Sequence, residues 1–466
     1  MISIVDLGSA NTALFMGEPT RPLSYFELGQ WVTENRRTLR GVDRPALAFM
    51  FGPWSAPAVA AYLAFLAEGI PLGLGEGAPE LRERVISVYR PSLLVLPAAT
   101  QPPPGYAATG LLAGGGWMLF RSETGPYGVT PNRNLALLLA TSGSTGDSKF
   151  VRLSIGNLEA NARAIVEYLG IKPGDAAIQG LPMHYSYGLS VLNSHLAAGA
   201  ATAITAYSFM HPNFWTTAER CDCTSFAGVP YMYETLERLR MSPAERPWLR
   251  TLTQAGGALR AELKGRIHGR ASSRGARFFA MYGQTEATAR IAYVPPERLP
   301  EKLDSIGAAI PGGKLWLGPD SYDSGARQLH YRGANVMLGY ASSPRDLELG
   351  DIMGGELQTG DLAEQDLDGF FRIVGRLSRI AKMYGRRVNL ASVEEEIERF
   401  FRFGAAVTDG GDCLKIYLET GSQSDCLLVR SHLVNLLGVP PMSIKMEALG
   451  ELPHTASGKK DYKALT

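Results

Sequence analysis

One stretch constrains this chain more than any other: Leu135-Ala-Leu-Leu-Leu-Ala140 runs directly into Thr141-Ser-Gly-Ser-Thr-Gly-Asp-Ser-Lys149. Six apolar residues without polar alternation read as a strand buried on both faces, as in sheets covered by helices. The strand empties into small residues whose chemistry suits an anion. Gly143 and Gly146 let backbone N–H groups turn inward, Thr141, Ser142, Ser144 and Thr145 add hydroxyl donors, and Lys149 supplies positive charge. The glycine spacing is not the G-x-x-x-x-G-K-[ST] of a kinase-type phosphate loop. A solvated turn has the same composition, so the remainder of the chain must decide.

A chain of 466 residues exceeds one compact core, since cores stop growing near ~250–300 residues, and at least two domains are expected. Strand-like runs such as Leu93 to Pro97 alternate with helical stretches such as Asn157 to Leu169, a pattern that predicts α/β architecture with parallel strands. The longest apolar run, Ala56 to Ala67, falls short of the ~20 residues that cross a bilayer and predicts a buried helix. Past about Asp304 the pattern changes to short strands and turns, and Asp366-Leu-Asp-Gly369 predicts a hairpin between Asp361 and Val374. Beyond a basic stretch, Arg376 to Arg387, Val393, Ile397, Phe400 and Phe401 recur at helical spacing behind Ser392 as a cap. A domain boundary is expected near Ser378.

Lys plus Arg (46) balance Asp plus Glu (45), which argues against a broad electrostatic footprint for nucleic acid or anionic membrane and towards a small-molecule partner. The four cysteines lack paired zinc-site spacing and suit a reducing compartment. Met1 to Asp6 shows no secretion signal, so a cytoplasmic location is expected.

Five segments, in order, resemble the adenylate-forming enzymes: acyl-CoA synthetases, adenylation domains of nonribosomal peptide synthetases, and luciferases. Thr141 to Lys149 is similar to their ATP loop. Met281-Tyr-Gly-Gln-Thr-Glu286 matches Y-G-x-T-E, Gln358-Thr-Gly-Asp361 matches T-G-D, Gly375-Arg376 matches the G-R hinge entry, and Leu452 to Lys459 matches the terminal L-P-x-T-x-x-G-K. The resemblance implies an N-terminal domain, residues 1–377, of two α/β subdomains and a β-rich subdomain, followed by a small mobile α+β lid, residues 378–466. It implies that a carboxylic acid, ATP and Mg²⁺ give an acyl-adenylate, which passes to a phosphopantetheine thiol on CoA or an acyl carrier protein.

The implied roles follow residue by residue. Glu286 and Thr285 offer hard oxygens to Mg²⁺. Asp361 accepts from the ribose hydroxyls, Arg376 reaches the same ribose, and Tyr282 stacks on adenine beside Gly256-Gly257-Ala258. Lys459 meets the charge that builds on the α-phosphate. The acid pocket is expected from His184, Tyr185, Val229, Tyr231, Gly256 and Gly283.

The chain departs from the family in places. His184 and Tyr185 stand where Phe and His are usual, Ser148 replaces a proline, and Ser378 replaces the hinge aspartate, although Lys382 and Gly385 retain the pattern after the hinge. Ala176 to Ala218 contains no Asp or Glu, where amino-acid-activating relatives carry the aspartate for the substrate ammonium, so a plain acid is favoured. Amine or hydroxyl acceptors, and a nucleotide-binding module without catalysis, remain as alternatives, and the oligomeric state is not specified.

Overall fold

The computed structural model describes residues 5–16, 20–125, 128–140, 149–321, 326–383, 386–411, 413–454 and 460–465. The loop expected to bind phosphate, 141–148, and Lys459 lie outside the described residues. The chain forms two compact units. The first comprises Met1–Leu303, Ala309–Lys314 and Arg332–Leu357, and the second Asp304–Ala308, Leu315–Tyr331 and Gln358–Thr466.

Two large sheets organise the first unit. In one, Thr251–Gln254, Ser225–Gly228, Ala176–Gln179, Ala201–Ile204 and Thr12–Met16 run parallel in that order, with Arg277–Tyr282 parallel beside Thr251–Gln254 and Ala292–Val294 antiparallel outside it. The other has parallel Leu137–Ala140, Leu72–Gly75, Ala48–Phe51 and Leu93–Pro97 at its centre. These central strands are buried almost throughout, as an apolar run without alternation requires. The expected buried helix spans Ala56–Ala67, starts from a Ser55 cap, and is buried from Ala58 to Leu66. The helix Ile155–Leu169 carries a capping box between Ser154 and Asn157 and ends on Gly170 at φ 64°, a left-handed position that glycine adopts without strain.

Leu137–Ala140 pairs antiparallel with Phe150–Leu153, Ala140 opposite Phe150. The strands on either side of residues 141–148 are therefore neighbours in one sheet, and the helix begins only after the second. Phe150–Leu153 is paired in turn with Gly339–Ala341. Arg152, fully buried, staples the two together by donating to the carbonyls of Tyr340 (3.1 Å), Leu338 (3.1 Å) and Leu349.

The second unit carries most of a four-stranded sheet in which Glu356–Gln365 and Phe371–Arg376 form the expected hairpin, with Asp361 opposite Arg376. It continues through a two-stranded ribbon, Ile380–Met383 with Arg386–Asn389, to a three-stranded sheet packed on Leu390–Phe401 and Gln423–Leu437. The expected helix starts at Leu390, capped by Asn389 through Ala391 N–H, and not at Ser392. Asn389 also donates to Val374 O at 2.9 Å. That bond ties the β-rich hairpin to the C-terminal helix, so the compact division falls upstream of Ser378, and the boundary at 377/378 is retained as a proposal.

Candidate active site

In the first sheet, neighbouring parallel strands end in register: Gly228 lies opposite Gln254, and Gln254 opposite Ala280. The segments that leave them, starting at Val229, Ala255 and Gly283, share one carboxyl edge, the place where open α/β sheets bind ligands. Three of the expected pocket residues meet there. Gly256 has φ +90°, and a Cβ added to it would lie 2.4 Å from the Tyr185 hydroxyl and 3.2 Å from Val229 Cγ1. Only glycine lets that wall close. Tyr231, one residue into the helix Pro230–Arg238, meets Phe209 edge-on at 6.2 Å. Burial pushes the pKa of the Tyr185 hydroxyl up to about 12, so it presents a neutral polar group to this wall, and burial holds the pKa of His184 below its ordinary value. Gly257 accepts from Gln254 Nε2 at 2.9 Å, and Ala258 is exposed beside it.

Tyr282 ends its strand and Gln284 Nε2 donates to its hydroxyl at 3.1 Å. Gly283 leaves no choice of side chain, since a Cβ there would stand 1.7 Å from Ala289 O. Thr285 and Glu286 follow on a short 3₁₀ turn, Thr285–Ala287, that is closed by Thr288 at φ 53° and Ala289 at φ 92°. Such strain persists only where surroundings over-determine it. Here buried Asn335 donates to Ala287 O (2.7 Å) and Arg290 O (2.8 Å) and accepts from Thr288 Oγ1 through its carbonyl (2.6 Å), while Met337 N–H holds Glu286 O at 2.9 Å.

The side chains on this turn link the separate motifs. Thr285 Oγ1 lies 3.0 Å from Ser186 Oγ, the first residue of the helix Ser186–Ala197. Glu286 Oε1 accepts from Tyr340 Oη at 2.8 Å, and the Lys149 ammonium sits 4.0 Å above the Tyr340 ring. The end of the phosphate-type loop and the Y-G-x-T-E segment thus meet through a residue that the sequence reading missed. Ser186, Asn335 and Arg152, which fixes the Tyr340 carbonyl, were missed as well. Asp361 and Arg376 belong to the second unit, where Arg376 Nε pairs with Asp361 Oδ1 at 3.0 Å.

Among the described residues no group of three His, Cys, Asp or Glu side chains converges as a resident metal site. The second oxygen of Glu286 has no hydrogen bond among the described residues. One carboxylate beside a hydroxyl fits Mg²⁺ delivered with phosphates, because that ion keeps water and phosphate ligands and needs few from protein.

Residues 10–341 match the model of the family described as AMP-binding enzyme. The chain belongs to that family. Among curated AMP-binding relatives, the chain is 29% identical over 344 residues to an oxalate–CoA ligase of Arabidopsis thaliana, covering 70% of this chain and 65% of that enzyme. It is 29% identical over 343 residues to the nonribosomal peptide synthetase CmlP of Streptomyces venezuelae, covering 71% of this chain but 34% of the synthetase. The chain thus spans less than two thirds of either relative's length. The fold of this AMP-binding enzyme is that of o-succinylbenzoate coenzyme A synthetase from Bacillus subtilis, solved in complex with AMP, at TM-score 0.76 and 20% identity over 98% of this chain and 95% of that one.

Proposed function

We propose that the protein activates a carboxylic acid with MgATP and transfers the acyl group to a phosphopantetheine thiol. A carboxylate oxygen attacks the α-phosphorus, the bond from that phosphorus to the bridging oxygen breaks, and pyrophosphate leaves. The thiolate then attacks the acyl carbon and AMP departs. The observation that carries this reading is the contact chain Lys149–Tyr340–Glu286, with Thr285 beside it, at the carboxyl edge of a parallel sheet whose next segments, Val229 and Gly256, build an apolar wall. Glu286 and Thr285 are assigned to Mg²⁺, Tyr282 and Gly256-Gly257-Ala258 to adenine, Asp361 and Arg376 to the ribose, and Lys459 to the α-phosphate in the first step alone. Residues 378–466 are assigned as the domain carrying that lysine.

The thiol belongs to CoA or to a carrier protein, and the reaction is placed in the cytoplasm, in keeping with four free buried cysteines. Among the described residues no helix is long and apolar enough to cross a membrane. Pyrophosphate exchange across a panel of carboxylic acids, followed by product analysis with CoA, a phosphopantetheinylated carrier and amines, tests both steps. Exchange without thioester formation would redirect the second step to another acceptor, and no exchange with any acid would overturn the reading.

A further inference from the structure

We infer that Arg290 receives a second anionic group, a carboxylate, on the acid that this protein activates; the inference rests on the adenylation reading above. Arg290 follows the strained turn and is 1% exposed. Its guanidinium carbon lies 3.9 Å over the Tyr187 ring and Nη1 is 3.5 Å from Met281 Sδ. Its Nε is buried without a hydrogen-bond partner, and among the described residues no carboxylate pairs with it. Desolvating a lone cation costs more than the face of one aromatic ring returns. The planar N–H fork of arginine is complementary to a carboxylate.

Space for that partner is present. Arg290 lines a cavity of about 30 Å³ with Val191, Ser194, His195, Ala227 and Thr253, more than one water requires, at ~10–15 Å³, and on the scale of a single carboxylate. The lining holds one acidic residue, Asp175, whose Oδ1 is taken by Arg250 at 2.9 Å and Thr224 Oγ1 at 3.0 Å. Among the described residues no side chain supplies the counter-charge, which is therefore assigned to a ligand. The cavity lies behind the acid wall: Tyr187 donates to Thr253 O at 3.1 Å, and its ring stands edge-on to Tyr185 at 6.2 Å. A Cβ placed on Gly283 would be 3.1 Å from Arg290 Cα. With the reacting carboxylate by Thr285, the far carboxylate is assigned to Arg290, so the substrate class is a dicarboxylic acid. A buried positive charge in the wall also repels the ammonium of an amino acid.

Pyrophosphate exchange with matched pairs tests this: succinate against butanoate, glutarate against pentanoate, adipate against hexanoate. The best diacid should exceed its monoacid at least 100-fold in kcat/KM, and Arg290→Met should shrink that ratio about 100-fold, with Arg290→Lys between. The ratio cancels any general loss from disturbing the turn. A monoacid preference in the unaltered protein, or an unchanged ratio in Arg290→Met, overturns the assignment. If no acid of either kind supports exchange, the adenylation reading fails instead. Thermal shifts with the same diacids, without nucleotide, then decide the anion subsite. A rise in Tm that Arg290→Met or, should Met not fold, Arg290→Lys diminishes upholds it, and no rise overturns it.

Discussion

Tyr340 donates its hydroxyl to Glu286 at 2.8 Å while its ring carries the Lys149 ammonium, so one tyrosine aims the carboxylate assigned to Mg²⁺ and seats the lysine that closes the phosphate-type loop. Hydrogen bonds to charged groups contribute about 1.5–3 kcal/mol. Tyr340→Phe should raise the KM for MgATP about 10-fold and shift activity to higher free Mg²⁺. Titrating exchange rate against Mg²⁺ at fixed ATP checks it, and an unchanged Mg²⁺ dependence would remove Tyr340 from the site.

Gly283→Ala should be severe. A methyl group 1.7 Å from the Ala289 carbonyl forces the backbone apart in a turn already holding two left-handed residues, and overpacking of this kind costs about 3 kcal/mol. Chemical unfolding should show that loss alongside a loss of exchange activity, whereas Gly257→Ala, with only Pro230 Cγ at 3.3 Å, should be tolerated far better.

Asp361 is nearly buried and pairs with exposed Arg376 in the second unit. If both serve the ribose, Asp361→Asn should raise the KM for ATP about 10- to 100-fold, the value of one charged hydrogen bond, and Arg376→Ala less, since the arginine side chain is half in solvent. Comparing ATP with 2′-deoxy-ATP provides the check: the two nucleotides should differ less in the Asn variant than in the parent.

The neighbouring lysines at the C-terminus should separate chemistry from anchoring. Lys460 Nζ donates to Ala405 O at 2.6 Å and Glu398 Oε1 at 2.9 Å, with Glu394 Oε2 at 3.4 Å. Burial opposes its charge, but Glu394 and Glu398 outweigh burial and hold its pKa above the ordinary lysine value. Lys460→Met should cost about 2 kcal/mol of stability by leaving Glu394 undercompensated. Lys459→Ala should instead slow adenylation at least 100-fold, as expected of a group that acts on transition-state charge, and spare thioester formation from synthetic acyl-adenylate. Equal losses in both half-reactions would contradict the Lys459 assignment.

Acid sensitivity should begin with a histidine. Burial lowers the pKa of His195, although the Val191 carbonyl at 2.8 Å and Asp175 push the other way. Because the folded pKa is below the unfolded value of ~6.5, the unfolded chain takes up a proton that the folded chain refuses as pH falls through that window. Stability should therefore fall below pH ~6.5 by up to about 1.4 kcal/mol per pH unit from this group. Denaturant melts from pH 7.5 to 5 should show the slope, and His195→Gln should flatten it.

Elements whose signal is local were legible before any coordinates. Leu93–Pro97 and Ala56–Ala67 occur where apolar runs placed them, because burial on all sides leaves one reading of such a run. The cap of the helix Leu390–Phe401 was misplaced by three residues: Ser392 and Asn389 are equally good caps by type, and only pairing of Arg386–Asn389 selects between them. Tyr340, Arg152 and Asn335 had no local signal at all, since each acts across segments more than 40 residues apart in sequence. Arg290 did leave one, a lone charge between Ala289 and Ile291-Ala292, and its meaning depended on which strand lay beside it.

The parallel pairing of Thr12–Met16 with Ala201–Ile204 bears on biosynthesis. During synthesis Thr12–Met16 can pair with Arg21–Ser24 at once but meets its inner neighbour only after nearly 190 further residues. At ~5–20 residues per second, that is a wait of roughly 10–40 s, during which an apolar hairpin is exposed and open to chaperones. A substitution that disturbs this hairpin would act first on the yield of folded protein, before it touched catalysis.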